Sequence, residues 1–466
     1  MRSLWLQETL GREVDAPAAA VEGALRADVC IIGGGFTGLW TAYRLTELEP
    51  ALDIVIVEAD VCGGGASGRN GGFVAGWTPK LATLVRLFGV EDALRLTRAT
   101  LAAVTWVEEF CAEQAPDADF ERGGWLWTAT SEAQRGAWQG AVDAAERVGL
   151  DVFRPLAREE LEARLGPSRH LAGVLDVTGA KVQPAALVRA LRRTVVARGV
   201  RVLERSPVRS LRSGAEVVVR CERGEVRAPT AILAANAWLA HLPDFRRSLI
   251  VTSSDVVATA ARPERLAAQG WTGGETVSNS RLMLAYYRTT RDGRIVLGRG
   301  GGTLAFANRI GPAFEHSARQ ARAAARDVGA AFPGLSDLPI EQAWSGPIDR
   351  SESGLPWFGP LAGDERVLFG IGFSGNGVGP CAVGGRILAS LALRRDDEWA
   401  SLAGLLARLQ RGGLPPEPAR YLAGKAIQAG VAAKERAEDG GREPSSLAVR
   451  LARLVPQGAG VHDVQE

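Results

Sequence analysis

Gly33-Gly34-Gly35-Phe36-Thr37-Gly38 is a G-x-G-x-x-G run, and a carboxylate, Glu58, stands after the next apolar stretch. These residue types suit the binding of an adenine dinucleotide. Gly33 allows a tight turn, Gly35 admits a pyrophosphate to the backbone, and Gly38 lets a helix pack closely on a strand. The N–H groups of Phe36 and Thr37, at a helix start, face phosphate with a partial positive charge. Glu58 is placed to accept hydrogen bonds from both ribose hydroxyls. The elements that must hold these groups are legible around them. Ala27-Asp28-Val29-Cys30-Ile31-Ile32 reads as a strand buried on both faces. Phe36, Leu39, Trp40 and Tyr43 recur at helical spacing, and Ile54-Val55-Ile56-Val57 forms a second apolar strand ending on Glu58. Strand, glycine loop, helix, strand and acid in register carry far more weight than the glycines alone.

A second glycine-rich loop follows: Cys62-Gly63-Gly64-Gly65-Ala66-Ser67-Gly68-Arg69-Asn70-Gly71-Gly72-Phe73. A nicotinamide dehydrogenase has no need of it. A longer cofactor threaded through the protein does, because small residues let backbone amides reach a ribityl chain and a flavin ring. Gly65, Ala66, Ser67 and Gly71 are therefore expected at FAD, with Arg69 meeting a phosphate or the flavin edge and Asn70 offering its amide.

The chain has 466 residues, so two or three domain-sized units are expected. Its 55 Lys and Arg nearly balance 53 Asp and Glu, which gives no general attraction for nucleic acid or a membrane surface. The cysteines (Cys30, Cys62, Cys111, Cys221, Cys381) are scattered and the four histidines dispersed, so neither a disulfide framework nor a metal site is expected. Met1 to Gly11 lacks the apolar core of a secretory signal, and a cytoplasmic location is the expectation.

With both loops in place, the sequence resembles the D-amino-acid oxidase-like flavoprotein superfamily, in its glycine/sarcosine oxidase branch, and gamma-glutamylputrescine-oxidase-like members in particular. Ser3-Leu4-Trp5-Leu6 and Ala66-Ser67-Gly68-Arg69-Asn70-Gly71-Gly72 match those members. The resemblance returns four times up to about residue 395. At residues 184–238 it implies backbone contact of Val208 with adenine and of the Ala235-Asn236 end with the dinucleotide. From Tyr286 to Gly301 it implies a hairpin, turned by Asp292-Gly293, on the substrate side of the flavin. From Trp344 to Gly359 it implies a segment lining the flavin. At Gly372-Phe373-Ser374-Gly375-Asn376-Gly377-Val378 it implies a loop and helix start at the pyrimidine side of the ring, where Asn376 stands in place of the histidine many relatives carry.

The resemblance thus implies Tyr287, Arg288 and Trp344 as catalytic candidates, with at most one of Tyr287 and Arg288 facing the flavin since they alternate. It adds Gly372, Ser374, Gly375, Asn376, Gly377 and Val378 to the cofactor contacts. Relatives with a covalent flavin use a cysteine near the Trp344 segment or a histidine in the early loop. Neither is present, Cys62 being the one nearby thiol, so FAD is expected to be non-covalent. Sarcosine-oxidase-like relatives hold a lysine near the flavin at the position that aligns with Val296 here.

The implied fold is α/β (α+β overall), a Rossmann-like FAD-binding domain interleaved with a substrate domain on a mainly antiparallel sheet. Residues 1–85, 155–250 and 345–395 would hold FAD, 86–154 and 251–344 would meet substrate, and 396–466 would form a helical tail. Trp125 and Trp127 are expected in the core, with a pocket floor as the alternative. The implied reaction is oxidation of a C–N bond in an amine or amino acid: hydride passes to flavin N5 and the imine hydrolyses. The acceptor would be O2, or an electron carrier in a dehydrogenase of the same fold. A tRNA-modifying flavoprotein is a further alternative, disfavoured by the near-neutral charge.

Overall fold

The structure is a computed structural model and describes residues 1–13, 18–271, 273–410 and 412–455; the end of the expected tail, 456–466, lies outside the described residues. The first glycine motif sits where the pattern places it. Val29–Ile32, helix Phe36–Leu48 and Ile54–Val57 form a unit of two parallel strands with the helix between, both strands fully buried. Four-residue apolar runs have no polar face to turn outward, so they need cover on both sides. The helices Phe36–Leu48 and Pro184–Ala197 help to supply it, together with Pro380–Ala392, which packs on Phe36–Leu48.

The six strands of this sheet lie in the order Trp357–Leu361, Asp364–Ile371, Thr230–Leu233, Val29–Ile32, Ile54–Val57, Arg201–Leu203. All pairings are parallel except the first. The strand Thr230–Leu233 ends before Ala235, because the chain then turns into a single helical turn with Asn236 at φ +48°.

A second sheet has eight strands: Ile340–Ser351, Leu249–Thr259, Ile295–Arg299, Ala285–Thr289, Thr276–Asn279, Trp125–Ala129, Ala172–Asp176 and Phe153–Leu156. Its one parallel pairing joins Thr276–Asn279 to Trp125–Ala129; the rest are antiparallel. Phe153–Leu156 and Ala172–Asp176, which flank or lie beyond residue 155, both pair in this sheet. The hairpin at Asp292-Gly293 forms as expected, with Gly293 at φ +84°.

The C-terminal helices Glu398–Ala407, Ala419–Asp439 and Ser446–Ala452 are not a loose appendage. Trp399 meets Trp106 edge-on, and Arg386 lies over the Trp106 ring. Glu435, buried on the long helix, accepts from Met283 N–H (2.8 Å), and Asp439 pairs with Arg281 (2.6 Å). No helix among the described residues is long and apolar enough to cross a membrane.

Candidate functional site

The two glycine loops and the two large sheets enclose one cavity of about 1020 Å³, roughly the upper end of the range for ligand sites. One wall is the loop ends of the six-stranded sheet. Gly33, Gly35, Phe36, Thr37, Glu58, Gly65, Ala66, Ser67, Arg69, Asn70, Gly71, Val208 and Ala235 all line it, as do Ser374, Gly375, Asn376, Gly377 and Val378. Gly38 and Gly372 do not, and their roles are packing ones. A Cβ on Gly38 would lie 2.1 Å from Gly33 O; one on Gly372, at φ +89°, would lie 2.5 Å from the Trp357 ring.

The backbone of this wall is a cradle of donors. Among the described residues, the N–H groups of Gly35, Thr37, Gly65, Ala66, Ser67 and Gly71 have no protein acceptor. Buried N–H groups are almost always paired, so a row of them facing a cavity calls for acceptor oxygens from a ligand. Phe36 N–H differs from the expectation: it donates to Ser67 Oγ (2.8 Å), which ties the second loop to the first helix start. A Cβ on Gly35 would sit 2.9 Å from that oxygen, so glycine there also serves the joining of the loops. Glu58 accepts from Gly34 N–H (2.7 Å) and Asp60 N–H (3.0 Å), which fixes its carboxylate at the wall, and burial pushes its pKa up. Two lone pairs remain for hydroxyl donors. This donor row, the anchored acid and the cavity volume fit FAD.

Two loop side chains differ from the expected roles. Arg69 donates from Nε to Gly64 O (2.8 Å) and from a terminal nitrogen to Ser345 O (3.0 Å). Asn70 donates to Ala66 O (3.1 Å) and Ser67 O (2.9 Å) and accepts from Gly72 N–H (2.7 Å). Both residues shape the loop, because a run of glycines has no other means of holding one conformation. Cys62 is buried off the cavity wall, and burial raises its thiol pKa well above the ordinary value. Cys381 is on the wall; burial pushes its thiol up to about 12, and it accepts from Thr37 Oγ1 (3.2 Å).

The other wall is the eight-stranded sheet, and here the catalytic candidates are displaced. Tyr287 faces the sheet's far side, in a core with Trp271 and Phe332, hydrogen-bonded to His170. Arg288 is buried beneath the second loop. It donates to Val182 O (2.8 Å), lies 5.0 Å over the Trp5 ring and has its pKa lowered to about 10 by burial. Trp344 donates to Arg69 O (2.8 Å) from behind the loop. None of the three lines the cavity. Val296 packs with Trp5 and Trp344 in the same layer. Arg299 pairs with Asp327 (2.7 Å).

Tyr286, Ser254, Arg350 and Trp125 take the places on that wall. Tyr286 sits opposite Gly298, where a Cβ would meet its ring at 2.0 Å, and its hydroxyl is 2.8 Å from Ser254 Oγ. Arg350 Nε donates to Thr252 Oγ1 (3.1 Å); burial lowers its pKa and Asp349 opposes the shift. Trp125 lines the cavity and stacks on Trp127, which is core, so the pair divides between the two expected uses. Asp349 is buried, its pKa pushed up to about 6, and accepts from Gly372 N–H (2.5 Å) and Ser374 N–H (3.3 Å). It holds the 372–375 turn, in which Gly372, Ser374 and Gly375 all have positive φ. Alternation was the available signal for Tyr286; no spacing rule singles out Arg350 or Asp349.

The sequence model of the DAO family, described as FAD dependent oxidoreductase, matches residues 28–391. Gamma-glutamylputrescine oxidoreductase of Escherichia coli (strain K12) is 28% identical over 386 residues, covering 82% of this chain and 87% of that protein. Glycine oxidase of Pseudomonas aeruginosa is 25% identical over 386 residues, covering 79% and 95%. Among solved structures, L-proline dehydrogenase from P. horikoshii aligns with a TM-score of 0.68 at 18% identity, covering 84% of this chain and 100% of that one. At that identity the likeness is one of fold.

Proposed function

The chain belongs to the FAD dependent oxidoreductase family, and on that premise we propose that it oxidises a C–N bond in an amine or amino acid whose anionic group faces Arg350. One observation carries this reading. Opposite the donor cradle, the cavity wall presents the half-buried Arg350, whose charge acts on Tyr286, and further across the same sheet the Trp125 ring. A guanidinium at low local dielectric attracts a carboxylate strongly, while aromatic faces exclude water and accept an alkyl amine. The names of the relatives, a gamma-glutamylputrescine oxidoreductase and a glycine oxidase, support an amine substrate.

FAD bound in the cradle supplies a two-electron acceptor for the C–H bond next to the amine nitrogen. It would be held by the N–H groups of Gly35, Thr37, Gly65, Ala66, Ser67 and Gly71 and by the Glu58 carboxylate, without a covalent link. Arg350 orients the substrate, and the Tyr286 hydroxyl, kept in place by Ser254, offers a hydrogen bond to it. No acid–base dyad is required, because the substrate enters as the neutral amine. Residues 1–85, 155–250 and 345–395 serve the cofactor in this reading, apart from the strand Ala172–Asp176 and the end of Ile340–Ser351 with Arg350, which join 86–154 and 251–344 on the substrate side. Within the expected tail, the helix Ala419–Asp439 braces the substrate side through Glu435 and Met283.

Oxygen is the proposed electron acceptor. Transfer to a carrier is the second reading, favoured by Val296, an apolar residue where sarcosine-oxidase-like relatives hold a lysine. Anaerobic mixing with a panel of amines and amino acids tests the first part: bleaching of the flavin band identifies the substrate, and a colourless purified protein would refute it. Reoxidation of the reduced protein by air in a stopped flow separates oxygen from a carrier.

A further inference from the structure

Three successive carbonyls of the second loop are each held by a side chain from outside it. Gly68 O accepts from Ser3 Oγ (2.5 Å), Arg69 O from Trp344 Nε1 (2.8 Å) and Asn70 O from Trp5 Nε1 (2.9 Å). Ser3 and Trp5 belong to the N-terminal helix Leu4–Arg12 and its cap, which lie before the residues 28–391 that define the family. Trp5 and Trp344 meet edge-on, with centroids 6.1 Å apart. Trp5 is itself fixed, since its carbonyl accepts from Gln183 Nε2 (3.0 Å).

A trans peptide unit is planar, and its C=O and N–H point in opposite directions. Holding a carbonyl toward the helix therefore turns the next residue's N–H toward the other side. For the first two units that N–H is used within the loop, since Arg69 N–H and Asn70 N–H both donate to Ala66 O (3.2 Å each). The third unit is different. Its carbonyl, Asn70 O, is held by Trp5, while its N–H, on Gly71, has no acceptor among the described residues. Gly71 lines the cavity, against Tyr286: a Cβ there would lie 2.6 Å from the tyrosine ring.

We propose that Trp5, seconded by Ser3, is a positioning residue that aims the Gly71 N–H into the cavity as a hydrogen-bond donor to the FAD ring system. The inference rests on the reading that FAD occupies this cavity. A helix outside the catalytic fold would then set one contact of the flavin, and through it the electronic environment of the ring.

Trp5→Phe removes the donor and keeps an aromatic side chain; Ser3→Ala removes the neighbouring one. Loss of a single neutral hydrogen bond corresponds to roughly five- to tenfold weaker binding. Reconstitution of the apoprotein with FAD is expected to give a dissociation constant raised by about that factor for Trp5→Phe, together with a shifted visible flavin band. Ser3→Ala, which acts one unit further away, is expected to change both less. A purely structural role would lower the unfolding midpoint of the apoprotein and leave the spectrum of bound flavin as in the wild type; that result overturns the proposal. So does wild-type affinity in Trp5→Phe. If Trp5→Phe does not fold, an unshifted band and unchanged FAD affinity in Ser3→Ala overturn it as well. Wild-type protein that takes up no FAD is a separate failure, that of the cofactor reading.

Discussion

Tyr286 and Tyr287 are adjacent on one strand, and their hydroxyls lie on opposite sides of the eight-stranded sheet. The first is hydrogen-bonded to Ser254 at the cavity wall, the second to His170 in a closed core with Trp271 and Phe332. Strand geometry dictates the opposition, since successive side chains point to opposite faces. Which tyrosine faces which way is decided by the cross-strand partners. Gly298 leaves room for a ring on the cavity side, while Leu297 pairs with Tyr287 on the core side.

The two tyrosines should therefore respond differently to loss of the hydroxyl. Tyr286→Phe is expected to lower kcat/KM by about tenfold, the equivalent of one hydrogen bond, with an unchanged unfolding midpoint. Tyr287→Phe leaves His170 with an unpaired buried nitrogen, at a cost of about 1–3 kcal/mol in stability, and should leave kcat/KM near the wild-type value. Steady-state kinetics and thermal unfolding on both variants decide it; the opposite pattern would reverse the assignment of the two faces.

Two arginines make a similar contrast. Arg350→Ala is expected to cut kcat/KM roughly a hundredfold, about 3 kcal/mol of charge-assisted binding, when the substrate carries a carboxylate. For an uncharged amine the loss should be small. Arg288→Met, by contrast, removes the bond to Val182 O and the stacking on Trp5, so it should lower stability and flavin retention with little effect on the KM of the flavin-loaded fraction. An unchanged kcat/KM for carboxylate-bearing substrates in Arg350→Ala would remove it as the anchor.

The nucleotide half of the site was readable because its chemistry is carried by backbone and by glycine, whose positions are fixed by local spacing. Gly33, Gly35 and Glu58 follow from the strand–loop–helix pattern and Gly65 from the second glycine-rich loop, and all four line the cavity. The substrate half depends on tertiary pairing. Arg350 reaches the wall because Ile340–Ser351 pairs along its length with Leu249–Thr259, a register that no local pattern encodes. Arg288 is a catalytic candidate from the resemblance alone, through its place on the hairpin at the substrate side of the flavin. Its neighbours, the Val182 carbonyl and the Trp5 ring, are distant in sequence and account for it structurally. Arg69 and Asn70 line the cavity, but their donors are spent on carbonyls of the loop and of Ser345.

Glu58 can be tested apart from the glycines. Gly33 has φ +116° and an added Cβ would lie 2.5 Å from Ala234 O, so Gly33→Val should fail through backbone collision, whether or not a ligand is present. Glu58→Ala leaves the turn glycines untouched and removes an acceptor for ribose hydroxyls. It is expected to weaken FAD binding by about two orders of magnitude, as the loss of charge-assisted hydrogen bonds implies. Titration of the apoprotein with FAD measures it, and wild-type affinity would take Glu58 out of the nucleotide site.

His170 gives the fold a dependence on pH that can be separated from other titrations. Burial among Phe332, Tyr287 and Ser168 lowers its pKa from 6.5 to about 4. The unfolded chain thus binds a proton between pH 6.5 and 4 that the folded chain does not. Stability from this group is complete above pH 6.5 and is lost as the pH falls, about 3 kcal/mol over the whole window. Asp349 acts in the opposite sense. Its pKa is raised from 3.8 to about 6, so the folded state takes the proton first and gains stability as the pH falls through the same range. The two slopes nearly cancel in the wild type. His170→Gln retains a hydrogen-bonding group toward Tyr287 but does not titrate, so its slope is removed while those of Asp349 and the other buried carboxylates remain. The variant should be the less stable protein at pH 7.5 and should gain on the wild type steadily from pH 6.5 down to 4.5. Unfolding midpoints at four pH values across that range measure the gap; a gap that stays constant would show that His170 titrates normally in the folded protein.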